Sequence, residues 1–247
     1  MSPSDDPDHL SLEGDGPTAL AFVAAENART GAVFGGPGYE ADIALIRDIL
    51  EDPAALPSVT RRSRWLYTFR READHPKGRW LRLPDGKALA PDAPWETVFD
   101  VGAFSAATGR DWAWRDAVTA AFDPSRVLLK LSDGGSDRWR FVEFDGTARQ
   151  IVEGGFDVGP QKGYCAWLDR NTLLVASAEG GDATDAGRPR VIRRLARGQG
   201  LADAPVVFEV GQGDLLAHAW VWHAGTDAPL TFLARHPEIG HTVLTVR

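Results

Sequence analysis

The chain has 247 residues, of which 43% are hydrophobic and 25% charged, with 9 tryptophans and 11 phenylalanines. This composition excludes a disordered protein, because so many large apolar side chains need a core. The length is enough for one large domain or two small ones. The net charge of −8 argues against nucleic acid as a partner, since phosphate binding needs a basic face.

The N-terminal residues 1–16 are acidic and polar, without the basic start and apolar segment of a signal peptide. No apolar run approaches the roughly 20 residues of a membrane helix. We therefore predict a cytoplasmic protein that binds no membrane, in which residues 1–16 form a flexible tail. The single cysteine, Cys165, excludes a disulfide within the chain and is expected to be a small buried residue.

Two helices are predicted in residues 17–56. The segment PTALAFVAAENARTGAVF starts with Pro17, which suits a first helical turn, and it stops before Gly35. The segment YEADIALIRDILED carries isoleucines at helical spacing and is expected to end before Pro53.

After Pro57, short runs of aromatic and β-branched residues alternate with clusters of Gly, Asp, Asn and Pro. This pattern predicts a mainly β structure without a long helix. The predicted strands are Arg64–Glu72, Gly78–Leu83, Glu96–Val101, Val127–Ser132, Arg138–Phe144, Arg149–Val152, Tyr164–Leu168, Thr172–Ala176, Arg190–Leu195, Pro205–Val210, Ala217–His223, Pro229–Arg235 and Thr242–Val246.

The spacing of these strands suits a sandwich, a barrel or a propeller. A weak repeat of strands and turns with a period of roughly 45 residues favours the propeller, because a blade of four antiparallel strands has that length. Four such units can be traced. We therefore predict an incomplete β-propeller of about four blades over residues 57–247, preceded by the two helices.

Several segments follow one another as in a known family. They are LEGDGPTALAFVAAENART, SRWLYTFRREADHPKGRWLR, WETVFDV, LLKLSDGGSDRWRFVEFDGTARQIVEGGF, WLDRNTLLVASA and GRPRVIRRLARGQGLADAPVVFEV. Together they resemble the N-terminal half of bacterial serine peptidases of the prolyl oligopeptidase family. The resemblance implies a helical lead-in and a propeller that caps an α/β-hydrolase domain. In the family, that hydrolase domain cleaves oligopeptides with a serine, an aspartate and a histidine.

Ser136 lies in SDGGSDRWRFVEFD and is the serine whose surroundings most resemble a nucleophile turn. A nucleophile elbow reads Gly-x-Ser-x-Gly between a strand and a helix. Here Arg138 occupies the place of the last glycine, and the residues after it are strand-like. The sequence therefore predicts a hairpin turn, in which glycines supply positive φ, and no catalytic residue in the chain.

The remaining polar groups predict no metal site and no cofactor. His218 and His223, like His236 and His241, are five residues apart, which on a strand places them on opposite faces. The glycine pairs at 154–155 and 180–181 lack the Lys-Ser/Thr of a phosphate loop. The arginines at 188, 190, 193, 194 and 197 form either an anion-binding patch or solvent-facing positions paired with acids, and we favour the second interpretation.

By resemblance, the chain is expected to be the propeller portion of a serine-type oligopeptidase whose catalytic domain is absent, so that these residues alone are inactive. An oligopeptide would be a partner only beside a catalytic domain. Two alternatives stay open. One is an interaction module without catalytic activity that binds a protein partner or itself through open propeller edges, and the other is a gene fragment without function.

Overall fold

The computed structural model describes residue 12 and residues 16–50, 52, 58–87, 89–90, 92–223 and 229–247. The chain divides into two compact units, Met1–Ala55 and Leu56–Arg247. Apart from residues 12 and 16, the tail predicted over residues 1–16 lies outside the described residues, as does Pro53. In the described part of the chain, no helix is both long and apolar enough to span a membrane.

The first unit contains two helices, α1 (Pro17–Phe34) and α2 (Pro37–Leu50). Pro17 stands in the first turn of α1, and the amide of Gly35 donates to the carbonyl of Gly31 at its end. Both predicted helices are therefore confirmed, and α2 begins two residues earlier than the apolar pattern indicated. Proline at the first helical position needs no intrahelical hydrogen bond, which allows this earlier start.

The second unit is built from four antiparallel sheets. Sheet 1 contains β1 (Thr60–Arg62), β2 (Trp65–Glu72), β3 (His75–Pro84) and β4 (Glu96–Asp100). Sheet 2 contains β5 (Trp112–Ala120), β6 (Asp123–Asp133), β7 (Trp139–Asp145), β8 (Gln150–Ile151) and β9 (Asp157–Gln161). Sheet 3 contains β10 (Gly163–Asp169), β11 (Thr172–Ser177), β12 (Val191–Ala196) and β13 (Val206–Glu209). Sheet 4 contains β14 (Leu216–Trp222), β15 (Leu230–Glu238) and β16 (His241–Val246). A helix, α3 (Val101–Thr108), connects sheets 1 and 2, and a short 3₁₀ helix, Leu201–Asp203, precedes β13.

Three apolar clusters fill the spaces between consecutive sheets. Between sheets 1 and 2, the rings of Trp80 and Trp114 stack 5.6 Å apart, and Phe99 meets Phe144 edge-on. Between sheets 2 and 3, Trp167 packs among Phe141, Leu173 and other fully buried residues. A smaller cluster joins sheets 3 and 4. Sheets 2 and 3 are therefore covered on both faces, which is the blade-on-blade packing of a β-propeller.

The first strands of consecutive sheets meet, and one side chain bridges each junction to a backbone carbonyl. From β1, Arg62 Nη2 donates to Ala117 O of β5 at 2.9 Å. From β10, Trp167 Nε1 donates to Val118 O of β5 at 3.0 Å, and the hydroxyl of Tyr164 donates to Ala217 O of β14. The strands β1, β5, β10 and β14 thus line the inner edge of the propeller.

All thirteen predicted strands are present, with ends that move by a few residues, and the predicted fold class is confirmed. Three strands escaped prediction, namely β1, β5 and β9. The β5 sequence carries Arg115 and Asp116 at a β-bulge, which breaks the apolar alternation on which the strand prediction depends. The helix α3 was also missed, because it has only eight residues. Asp100 caps it by accepting a hydrogen bond from the Ala103 amide at 2.9 Å.

Candidate functional site

Ser136 stands in the turn between β6 and β7, as the sequence indicated. Gly134 and Gly135 have φ of 61° and 79°, a left-handed conformation that glycine adopts without steric cost. The Ser136 amide donates to the carbonyl of Asp133 at 3.2 Å, which closes the turn. The residues after it enter β7 and not a helix, so the strand-turn-helix surroundings of a nucleophile elbow do not occur here.

The side chain and the carbonyl of Ser136 form hydrogen bonds with neighbouring residues of the same turn. Its hydroxyl lies 3.4 Å from Arg138 O, and its carbonyl accepts from Ser132 Oγ at 2.7 Å. The Arg115 guanidinium donates to the carbonyl of Gly135 in the same turn. In the described chain, none of the hydrogen bonds of Ser136 involves an imidazole. Activation of a serine needs a base that accepts its proton, and the described contacts of Ser136 are with backbone carbonyls and the Ser132 hydroxyl.

Two histidines that are distant in sequence come together on sheet 4. The His218 ring lies 6.4 Å from the His236 ring and meets the Tyr164 ring edge-on at 4.5 Å. Burial, and secondarily the neighbouring His236, lowers the pKa of His218. Sequence spacing alone pairs His218 with His223 and His236 with His241, whereas strand pairing across β14 and β15 creates the actual pair. The pair could have been predicted from the sequence by aligning β14 and β15 as a hairpin, because the strand register places the two histidines near each other.

The described residues contain one group of side chains with the geometry of a cation site. Ligand atoms of Glu72, Asp74 and His75 lie within 4.8 Å of one another at the turn between β2 and β3. Glu72 is also paired with Arg79, and His75 lies 3.5 Å from Asp100, so these groups have protein partners already. His9 lies outside the described residues.

Three of the five arginines in the predicted cluster pair with acidic side chains. Arg193 pairs with Asp182 at 2.9 Å, and Arg190 pairs with Glu209. Arg197 reaches Glu143 of sheet 2 at 2.7 Å. These three contacts agree with pairing to acids and leave those guanidinium groups unavailable as a shared anion site.

Cys165 is buried, as predicted, and only 6% of its surface is exposed. Burial raises the pKa of its thiol, so the reactive thiolate is disfavoured.

The glycine pairs lie in turns, as predicted. Gly154, Gly180 and Gly181 have positive φ in turns, and no helix follows them as it would in a phosphate loop.

Comparisons with known proteins connect this fold to peptidases. The chain is 30% identical over 220 residues to an uncharacterized peptidase of Sinorhizobium fredii. The aligned region covers 87% of this chain and 30% of that protein. It is 25% identical over 158 residues to an uncharacterized peptidase of Rickettsia prowazekii. This aligned region covers 60% of the chain and 22% of the relative. The chain thus spans less than a third of the length of these relatives. No family model matches it.

The fold of the chain also matches part of solved peptidase structures. A post-proline cleaving enzyme from Rickettsia typhi superposes with a TM-score of 0.82 at 21% identity, over 96% of this chain and 37% of that one. Oligopeptidase B from Leishmania major superposes with a TM-score of 0.60 at 14% identity, over 96% of this chain and 34% of the other. In fold, the chain therefore resembles the propeller portion of prolyl oligopeptidases, and in sequence it is similar to part of two proteins described as peptidases.

Proposed function

We propose that the chain is the propeller portion of a serine-type oligopeptidase, and that hydrolysis is carried out by an α/β-hydrolase domain outside these 247 residues. The observation that carries the proposal is the superposition of 96% of the chain on 37% of a post-proline cleaving enzyme. The surroundings of Ser136 support it, because a turn serine bonded to backbone carbonyls has no general base.

In this role the sheets restrict access to a catalytic domain and contact the oligopeptide before it is cleaved. The buried clusters on both faces of sheets 2 and 3 give the blades the rigidity that such a filter requires. Acyl transfer itself needs a serine, a base and an orienting acid within hydrogen-bond distance. We assign all three to the catalytic domain.

The test is to assay the purified chain on proline-containing chromogenic peptides and to treat it with a fluorophosphonate probe. We expect no hydrolysis and no labelled serine, both in the natural chain and in the matched variant Ser136→Ala. The post-proline cleaving enzyme of Rickettsia typhi serves as the positive control. Covalent labelling of any serine in the natural chain would overturn the proposal.

A second candidate function is self-association through the edge of sheet 4. All six residues of β16 are exposed, and the strand HTVLTV contains no Lys, Arg, Asp, Glu or Pro to discourage pairing. Exposed edges of this kind pair with other strands. We expect light scattering after size exclusion to show a dimer or larger species, and Val243→Lys to yield the monomer. A monomeric natural chain would contradict this function.

A further inference from the structure

Strand pairing in sheet 4 places two imidazole side chains on the same face of a hairpin. In the register of β14 and β15, His218 lies opposite Ala234 and His236 lies opposite Leu216, so the two histidines are diagonal neighbours. Residues two positions apart on a strand share a face, and diagonal neighbours on that face are within reach of long side chains. The centroids of the two rings are 6.4 Å apart.

This separation is close to that of two imidazoles bound to one metal ion. A ring nitrogen binds Zn²⁺ at about 2.1 Å, which places each ring centroid about 3.2 Å from the metal. Two such rings are about 5.2 Å apart at a tetrahedral angle and about 6.4 Å apart when they face each other across the metal. The observed distance lies at the upper end of this range, so small rotations of the two side chains are sufficient to bring both rings to one ion.

His236 has the hydrogen bond that a metal-binding histidine usually has. Its Nδ1 lies 3.0 Å from the hydroxyl oxygen of Thr242 on β16. When Nδ1 carries the proton and donates it to this oxygen, Nε2 keeps its lone pair. Histidines that bind metals almost always donate their other ring N–H to an oxygen in this way. Thr242 therefore favours the tautomer in which Nε2 is a ligand.

His218 offers ring nitrogens that no protein group occupies. Its contacts in the described structure are between rings, with Tyr164 edge-on at 4.5 Å and Trp220 at 5.6 Å. Within the described residues, neither of its ring nitrogens has a hydrogen-bond partner or an ion pair. Burial, and secondarily the neighbouring His236, lowers the pKa of His218, so the imidazole is neutral at pH 7, as metal binding requires.

No resident cation competes for this pair on the described face of sheet 4. By strand register, the face carries aromatic, aliphatic and hydroxyl side chains beside the two histidines, and no lysine or arginine, namely Leu216, Trp220, Trp222, Leu230, Phe232, Ala234, Thr242, Leu244 and Val246. At the turn between β2 and β3, by contrast, Arg79 already pairs with Glu72. A metal ion between the two histidines of sheet 4 therefore displaces no ion pair.

We propose that His218 and His236 form a two-histidine site for a divalent late transition metal such as Zn²⁺, Ni²⁺ or Cu²⁺. Imidazole suits these metals, whereas Mg²⁺ and Ca²⁺ prefer oxygen ligands. The bound ion joins β14 to β15, and two protein ligands leave its other coordination positions open to water or to an oxygen of a further ligand. This inference does not depend on the proposed function.

Calorimetric titration of the metal-free 247-residue chain with Zn²⁺, Ni²⁺ and Cu²⁺ tests the site. We expect one ion to bind per chain in the micromolar range, with Cu²⁺ the tightest of the three, and no binding of Mg²⁺. Electron paramagnetic resonance of the Cu²⁺ complex should show coupling to two imidazole nitrogens.

Variants of the chain separate the ligands from other histidines. His218→Gln and His236→Gln should each weaken Zn²⁺ binding by at least about tenfold and leave one nitrogen in the Cu²⁺ spectrum, because one of two ligands is lost. Thr242→Val should weaken binding by less than about tenfold, since water can replace an exposed hydroxyl. His241→Gln, at an exposed histidine of β16, is the matched control and should leave the affinity unchanged. Circular dichroism of the metal-free variants checks that each is folded.

Failure of the natural chain to bind any of the three metals would overturn the inference, as would unchanged affinity in His218→Gln or His236→Gln. His75→Gln tests the group of Glu72, Asp74 and His75 in the same titration. If His75→Gln abolishes binding and His218→Gln does not, the ion lies at the turn between β2 and β3 and the inference is wrong. None of these results bears on labelling by the fluorophosphonate probe.

Discussion

Replacement of Glu143 by glutamine should be among the most destabilising conservative changes in the propeller. Glu143 lies on β7, is 2% exposed, and connects sheet 2 to sheet 3. Its carboxylate accepts hydrogen bonds from Arg197 Nη1 at 2.7 Å and Nη2 at 3.3 Å, and from the Phe156 amide at 3.0 Å. Arg126 lies 3.5 Å away. Glutamine keeps the shape and removes the charge.

The magnitude follows from the burial of the partners. Loss of one member of a wholly buried ion pair costs about 3–5 kcal/mol, because the remaining charge is left uncompensated. The side chains of Arg197 and Arg126 keep 28% and 25% exposure, so water screens part of this loss. We therefore expect about 3 kcal/mol. For a unit of this size, 1 kcal/mol lowers Tm by roughly 2–4 °C, which gives about 6–12 °C.

Thermal unfolding followed by circular dichroism measures this shift. The matched control is Glu209→Gln, which breaks the pair with Arg190 at a side chain that is 54% exposed and should cost less than about 1 kcal/mol. A double-mutant cycle with Arg197→Met should give a coupling of at least about 1 kcal/mol. If Glu143→Gln and Glu209→Gln have the same Tm, the carboxylate does not hold the two sheets together.

Two further predictions concern sheets 3 and 4. Burial and His236 lower the pKa of His218, so the unfolded chain, with an ordinary pKa of about 6.5, binds the proton more readily. Stability should therefore be lost as pH falls below about 6.5, and urea midpoints at pH 7.5 and 5.5 should differ less in His218→Gln than in the natural chain. An unchanged difference would refute this. A Cβ on Gly163 would lie 1.9 Å from the carbonyl oxygen of Ala176, so Gly163→Ala should lower the free energy of unfolding by about 1–3 kcal/mol. The control Gly213→Ala, with open space around it, should be neutral in the same urea titration, and equal effects of the two variants would contradict the steric argument.

Local patterns were sufficient for most of the secondary structure. The strands β10 and β11 are apolar runs on either side of the turn Asp169-Arg170-Asn171, and both strands could be predicted from residues within a few positions of each other. The turn at Gly134 and Gly135 was predictable for the same reason, since positive φ is a property of single residues. The same local chemistry is the basis for the prediction that Ser136 is a turn residue and not a nucleophile.

The elements that were missed depend on their surroundings. The sequence of β5 is interrupted by Arg115 and Asp116, and it forms a strand because β6 pairs with it around the bulge. The three residues of β1 are too few for a pattern, and their position is fixed by pairing with β2. Tertiary contacts override weak local preference in both strands.

By itself, the sequence determined that this protein has two helices followed by repeated antiparallel strands, and that Ser136 belongs to a hairpin turn. Those properties are encoded by neighbours along the chain. Only the tertiary structure decided that Glu143 meets Arg197, 54 residues away, that His218 meets His236, and that Arg62 reaches the β5 strand. The reason is that these contacts depend on sheet register and on how one blade packs against the next. Neither can be predicted from the apolar pattern of a single segment.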